Sequence, residues 1–201
     1  MKICIVSGSR AEFFILKNLI KKINDTKFFK SNFIITGSHM TKDFGNTFNQ
    51  IVNSKIKIGR KLNLKINNDN EDDISQYFSL GVKLFSNTFN KIKPDLLMIL
   101  GDRYEIYSAA VAACFNRVPI AHIHGGEKTE GAIDEALRHS ITKLSHIHFV
   151  STKEHFNRVK QLGENKKYIL NVGSLGVESL KKIQFLNKKK IEKRLKIKFL
   201  K

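Results

Sequence analysis

Short, wholly apolar runs alternate along the chain with longer stretches in which apolar residues recur three and four positions apart. Residues 2–7 read as a buried strand, followed by the turn Gly8-Ser9-Arg10. Helical spacing follows over 11–24, with Phe14, Ile15, Leu16, Leu19, Ile20 and Ile23 on the apolar side. A second strand over 32–36 ends in Gly37-Ser38-His39. The stretch 40–70 is less regular and predicts a short helix near 44–52 and a strand near 58–64. A long helix over 72–92 is entered through Glu71-Asp72-Asp73, acidic residues that suit a helix N-terminus, and Pro94 ends it. Strands over 96–100, 118–123, 147–150 and 168–172 then alternate with helices over 105–116, 133–144 and 153–162, the last capped by Ser151-Thr152. Strands alternating with helices imply an α/β fold with a doubly wound, mostly parallel, Rossmann-like sheet.

Polar residues crowd just past the predicted strands. The window 99–143 holds Gly101-Asp102-Arg103 after one strand and His124-Gly125-Gly126-Glu127 after the next. Asp134, Glu135, Arg138 and His139 follow within it. In open α/β sheets ligands bind beyond the carboxyl ends of the strands. Carboxylates and imidazoles gathered there suit proton transfer, and guanidiniums suit an anion. Arg10, after the first strand, is placed to grip a phosphate together with the N-terminus of the following helix; the plainer reading is a surface arginine. Asp102 either serves chemistry or caps the helix after it. Gly125-Gly126 lets backbone approach a ligand closely beside His124. His122 and His124 alternate along a strand, the spacing of a metal-ligand pair on one face. The pairs Asp134–Arg138 and Glu135–His139 are each one helical turn apart, so salt-bridge scaffolding competes with a site role.

With 201 residues the chain suffices for one well-buried domain. No run approaches a membrane span, and residues 3–6 are too short for a signal peptide, so the expectation is a cytoplasmic protein without membrane association. Cys4 and Cys114 are expected to be reduced core residues. The net charge of +18 raises the question of nucleic acid. The excess is uneven, however: residues 181–201 carry ten Lys or Arg and one acid, Glu192. No zinc-ligand set, basic-aromatic strand motif or helix-turn-helix pattern accompanies it, so no nucleic-acid partner is expected.

The segments GDRYE, HIHGGEKTEGAIDE and RHSITK, with Ser7-Gly8-Ser9-Arg10-Ala11-Glu12, Gly37-Ser38-His39, Gln161-Leu162-Gly163-Glu164 and Asn171-Val172-Gly173-Ser174-Leu175-Gly176, resemble the hydrolysing UDP-N-acetylglucosamine 2-epimerases of bacterial sialic and legionaminic acid synthesis. Their order and spacing carry the resemblance over nearly the whole chain. It implies the first half of a GT-B arrangement, in which two Rossmann-like domains face each other across a cleft. Residues 1–180 would be the N-terminal domain, and 181–201 the basic connection and start of a second. It implies Asp102, Glu127, Asp134 and His124 as catalytic residues and Arg10, His39, Arg103 and Arg138 as substrate-binding residues. It implies a UDP-sugar substrate, no metal or cofactor, and a homo-oligomer when complete. Two rivals stand beside it. A non-hydrolysing epimerase or another GT-B glycosyl enzyme is disfavoured by the HIHGGE and RHSITK segments, since non-hydrolysing relatives carry HVEAG where this chain has His122-Ile123-His124-Gly125-Gly126. The other is a truncated, inactive nucleotide-sugar-binding domain. One departure is local: Phe13-Phe14 stands where many relatives have a tyrosine and a small residue, which would narrow the pocket.

Overall fold

The computed structural model describes residues 1–41, 47–64, 70–181 and 185–199. β1 (Lys2–Ser7) is apolar on both faces, with Ile3, Cys4, Ile5 and Val6 all buried, and it therefore lies inside the sheet rather than at an edge. It is flanked by β2 (Lys30–Ile35) and β4 (Leu96–Leu100). Outside them come β3 (Ile58–Lys61) on one side, and β5 (Ile120–Ile123), β6 (Ile147–Val150) and β7 (Ile169–Asn171) on the other. The order is β3-β2-β1-β4-β5-β6-β7, and every pairing is parallel. The chain runs outward from β1 through β2 to β3, then crosses back to β4. This reversal opens a crevice beyond the carboxyl ends of β1 and β4.

Alternate residues of each strand feed the two faces. Cys4, Val6, Leu97 and Ile99 pack against α3 (Glu71–Ile92), α4 (Tyr104–Phe115) and α5 (Ile133–Leu144). Ile3, Ile5, Phe33 and Ile35 pack on the other face with α1 (Arg10–Asn24) and α2 (Thr47–Asn53). A small third cluster, Val150, Val159 and Ile169, lies under α6 (Lys153–Gln161). Helix ends follow local chemistry. Ser9, Asn70 and Thr152 each accept a backbone N–H three residues on. Lys93 closes α3 in the left-handed conformation (φ 50°), and Pro94 bars continuation.

Several expectations shift. β2 begins at Lys30, β5 only at Ile120, and α2 spans Thr47–Asn53, the start of the expected 44–52 helix lying outside the described residues. On α1, Leu16, Ile20 and Ile23 are buried and Ile15 and Leu19 pack beside them as expected, but it is Phe13 that is buried, against Phe33 and His39, while Phe14 is 47% exposed. Phe13 thus fills core, and with Phe14 it also lines a cleft beside Arg10. Cys4 is buried as expected, but Cys114 is exposed, because α4 presents that side away from the sheet. After β7, α7 (Leu175–Lys181) lies on α1 through Lys22–Glu178 at 3.2 Å and Asn18–Ser179 at 3.4 Å. The basic helix α8 (Lys188–Leu195) buries none of its residues. Among the described residues no helix is long and apolar enough to cross a membrane.

Candidate active site

The turns after β1, β4, β5 and β6 converge on the crevice. A cleft of about 270 Å³ there is lined by Glu12, Asp102, Arg103, His124, Glu127 and Arg138 among others. An adjoining cleft of about 560 Å³ shares Ser9 and Arg103 and adds Arg10, Ser38 and Tyr77. Five of the eight candidate residues thus share one cleft. Arg10 faces the neighbouring space, and Asp134 and His39 line neither.

Asp102 follows β4 and does not cap α4; that position belongs to Arg103. Its carboxylate instead receives a short charge-assisted hydrogen bond from Arg138 Nη2, across 36 residues of sequence. Burial pushes the Asp102 pKa up; Arg138 opposes, while the charges of Asp134 and Glu127 add to the rise. Asp134 stands in the first turn of α5, where acidic residues suit the helix dipole. Of the two pairs whose spacing allowed a salt bridge, Asp134–Arg138 gives way to Asp102–Arg138, whereas Glu135 does meet His139, at 3.6 Å. Arg138 Nε and Nη1 are buried without a partner among the described residues.

His124 leaves the strand with φ 64°, a left-handed conformation rare for a residue with a side chain, and Gly126 follows at φ 77°. The strand ends at Ile123, so His122 and His124 share no strand face and form no ligand pair. His122 is buried, its Nε2 against the Gly101 carbonyl at 2.8 Å and its Nδ1 against Thr142 Oγ1 at 3.1 Å. Burial holds its pKa down at about 3, against the raising effect of that carbonyl. His124 Nδ1 lies 3.1 Å from Glu127 Oε1, which also accepts from Ser151 Oγ at 2.9 Å. Burial would raise the Glu127 pKa, but the contacts with His124, Ser151 and His155 outweigh it and hold it at about 2. His124 Nε2 is buried and unpartnered among the described residues. Among them, no group of three or more His, Cys, Asp or Glu is arranged to hold a metal ion.

A second charged cluster stands behind the β1 turn. Glu12 accepts the Gly8 N–H at 2.7 Å, and its other oxygen is buried 3.8 Å from Arg103 Nε. Arg103 Nε donates to the fully buried Glu105 at 2.7 Å, and Tyr77 Oη reaches Glu105 at 3.4 Å. Burial, then the charge of Glu105, pushes the Glu12 pKa to about 8. Both of Arg103's ion pairs among the described residues use Nε, and its side chain stays 48% exposed. His39 is 3% exposed, with Ser7 Oγ at 3.0 Å and Thr47 Oγ1 at 3.3 Å on its two nitrogens, and burial lowers its pKa to about 4. It is a neutral brace between the turns after β1 and β2. Arg10, by contrast, is exposed at the start of α1.

Glu12, Glu105, Ser151 and His155 were not among the sequence candidates. For Glu12 a signal existed: Ser9-Arg10-Ala11-Glu12 has capping-box spacing. For Ser151 and His155 none did, since their contact with Glu127 joins segments 24 or more residues apart.

The family model described as UDP-N-acetylglucosamine 2-epimerase matches residues 21–201. A GDP/UDP-N,N'-diacetylbacillosamine 2-epimerase (hydrolyzing) of Campylobacter jejuni is 43% identical over 98% of this chain and 51% of its own length. A UDP-N,N'-diacetylbacillosamine 2-epimerase (hydrolyzing) of Legionella pneumophila is 32% identical over 89% of this chain and 47% of its own. Among solved structures, a UDP-GlcNAc 2-epimerase from Neisseria meningitidis bound to UDP-GlcNAc superposes with a TM-score of 0.79 at 21% identity, covering 98% of this chain and 52% of that one. The chain spans about half the length of the relatives it matches.

Proposed function

Because the chain belongs to the UDP-N-acetylglucosamine 2-epimerase family, we propose that it forms the nucleotide-sugar-facing half of a hydrolysing UDP-sugar 2-epimerase. Residues 1–180 are then the N-terminal domain, and 181–201 lead into a second domain that closes the cleft in the GT-B manner. The substrate is UDP-N-acetylglucosamine or UDP-2,4-diacetamido-2,4,6-trideoxyglucose. The products are UDP and the 2-epimeric free sugar, for nonulosonic acid synthesis in the cytoplasm by a homo-oligomer. The printed names of the Campylobacter and Legionella relatives support the hydrolysing chemistry.

The observation that carries this reading is the pair of carboxylates, Asp102 and Glu127, in one cleft with acidities pushed in opposite directions. The C2–H of the sugar is a very weak acid. Its removal needs help from departure of UDP at C1 and from a negative group near the developing positive charge. Asp102, its proton affinity raised, takes the C2 proton as the C1–O bond breaks and its electron pair leaves with UDP. Glu127, held ionised, faces the positive charge at C1. Arg10 and Arg103 receive the diphosphate. Water then gives its hydroxyl to C1 of the 2-acetamidoglycal, and Asp134, behind the cleft wall but near enough to act on Asp102, relays a proton to the opposite face of C2 and is reprotonated by the proton that the water gives up. The unpartnered Arg138 nitrogens are placed to donate to sugar oxygens, and His124 Nε2, its Nδ1–H given to Glu127, to accept from a sugar hydroxyl.

The test incubates the chain, alone and joined to the second half of the Campylobacter relative, with each UDP-sugar. UDP and free 2-epimeric sugar from the joined protein are expected. An epimeric UDP-sugar would make the protein a non-hydrolysing epimerase. UDP binding without turnover in either form would leave a binding domain.

A further inference from the structure

Glu127 is held from outside its own loop, by α6 and the turn before it. Ser151 lies one residue before Thr152, whose side chain caps α6, so its position is fixed with the helix. Its hydroxyl is 2.9 Å from Glu127 Oε1 and 2.8 Å from His155 Nδ1. One proton arrangement satisfies both contacts. An ionised carboxylate only accepts, so Ser151 O–H donates to Glu127, and His155 must then donate its Nδ1–H to Ser151. The result is a relay of aligned dipoles ending on one carboxylate oxygen, with the imidazole 4.0 Å from that oxygen.

The loop carrying Glu127 is seated on the same helix. Arg158 donates a short hydrogen bond to the Gly126 carbonyl. A Cβ at Gly126 would stand 2.6 Å from the His155 carbonyl oxygen and 2.7 Å from Val159 Cγ2, so only glycine lets the loop lie this close.

We propose that Ser151 and His155 are positioning residues for Glu127: they fix the direction of its carboxylate and keep it charged in the cleft. The proposal rests on the epimerase reading for what that charge is used for, not for how it is held. Other groups act on Glu127 as well. His124 contacts it from its own loop. Asp102 on the β4 turn, Arg138 of α5 and Glu12 of α1 line the same cleft. Burial and the nearby carboxylates favour a protonated Glu127, whereas His124, Ser151 and His155 favour the charged form. Removing two of those three leaves burial less opposed.

The experiment follows the ¹³C-carboxyl resonance of Glu127 in the 201-residue chain as pH falls from about 7 to about 3, with circular dichroism at each step showing that the fold persists. In the parent chain the resonance stays flat. In Ser151→Ala with His155→Ala the carboxyl begins to titrate within that window, an upward shift of about one unit or more. Ser151→Ala alone gives a smaller shift in the same direction, and it decides the matter should circular dichroism find the double variant unfolded. Ser151→Thr, which keeps the hydroxyl, restores the flat response. A flat response in the alanine variants, or equal behaviour of Ser151→Ala and Ser151→Thr, overturns the proposal. A shifted titration without UDP release from the joined enzyme would sink the epimerase reading and leave the holding of Glu127 intact.

Discussion

Behind the β1 turn, the buried Glu12 and Glu105 share Arg103, whose side chain still reaches water; beyond β5, Asp102 and Glu127 lean on different partners. Both regions combine two carboxylates with an arginine, yet their states differ. In the first, two acids share one Nε, and burial with mutual repulsion pushes Glu12 up to about 8. In the second, Asp102 has Arg138 to itself and Glu127 has His124 and Ser151, so one acidity rises and the other falls. The two buried acids of the first region are therefore a frame that fixes the turns after β1 and β4, with the exposed side of Arg103 left to the clefts. The second region leaves two Arg138 nitrogens and His124 Nε2 unspent and can receive a ligand. Residue type does not separate frame from site; the number of partners per charge does.

The largest effect that would break this comparison is Glu105→Ala. Removing a fully buried acid strips Arg103 and Tyr77 of their shared partner, and a loss of about 3 kcal/mol is expected, at the low end for a buried pair because Arg103 reaches water. Urea unfolding of the chain measures it, and a loss under about 1 kcal/mol would deny Glu105 a framing role. Next come the site carboxylates. In the enzyme completed by a second domain, Asp102→Asn and Asp134→Asn each slow turnover by about 10²-fold or more. Asp102→Asn also weakens the hydrogen bond to Arg138, a further cost of about 2 kcal/mol in stability, whereas Asp134→Asn leaves folding nearly unchanged. Normal turnover in both would remove them from the reaction.

The two regions also predict opposite limbs of a stability–pH curve. A carboxyl raised to about 8 in the folded state binds its proton more tightly there than in the unfolded chain. Glu12 therefore favours folding at low pH, and that advantage is lost as pH rises from the ordinary glutamate range through about 8. Glu127, lowered to about 2, contributes stability above the ordinary glutamate range that is lost as pH falls toward 2. His122 and His39, lowered to about 3 and about 4, are neutral in the fold and take up protons on unfolding, so they steepen the same acid limb below the ordinary histidine range. Thermal melts across pH should fall on both sides. Glu12→Gln should flatten the alkaline side only; an unchanged alkaline limb would show that Glu12 is not the group that titrates there.

Much of the frame was legible and much of the site's wiring was not. Continuous apolar runs such as Leu96–Leu100 announce strands buried on both faces, and polar residues just beyond them announce a ligand edge. Asp102, Arg103, His124 and Glu127 were legible for that reason, Arg138 inside α5 through the resemblance, and all five share one cleft. What periodicity misjudged on α1 was one position, Phe14 for Phe13, because two adjacent aromatics border the helical stripe equally well. What no local pattern holds is which charge meets which. Arg138 follows Asp134 by one helical turn, yet its guanidinium goes to Asp102 on another strand end, since the sheet brings β4 and β5 side by side. The hold of Ser151 on Glu127 is invisible for the same reason.

The smallest expected effect falls at Ser9, where the two regions meet and both clefts are lined. Its hydroxyl accepts the Glu12 N–H at 3.3 Å and caps α1. Ser9→Ala leaves that donor unmet and should cost about 1 kcal/mol. Ser9→Asp caps as well as serine does, and a negative charge at a helix N-terminus is favourable, so unfolding should return close to the parent value. The same charge stands beside Arg10 and on the wall shared by the clefts, where the diphosphate is proposed to bind. UDP affinity, measured by calorimetry on the enzyme completed by a second domain, should therefore fall in Ser9→Asp and stay near the parent's in Ser9→Ala. Stability and binding would then move in opposite order across the two variants, which a purely structural Ser9 would not produce. Equal UDP affinity in both would place the diphosphate elsewhere along the sheet edge and confine Ser9 to the frame.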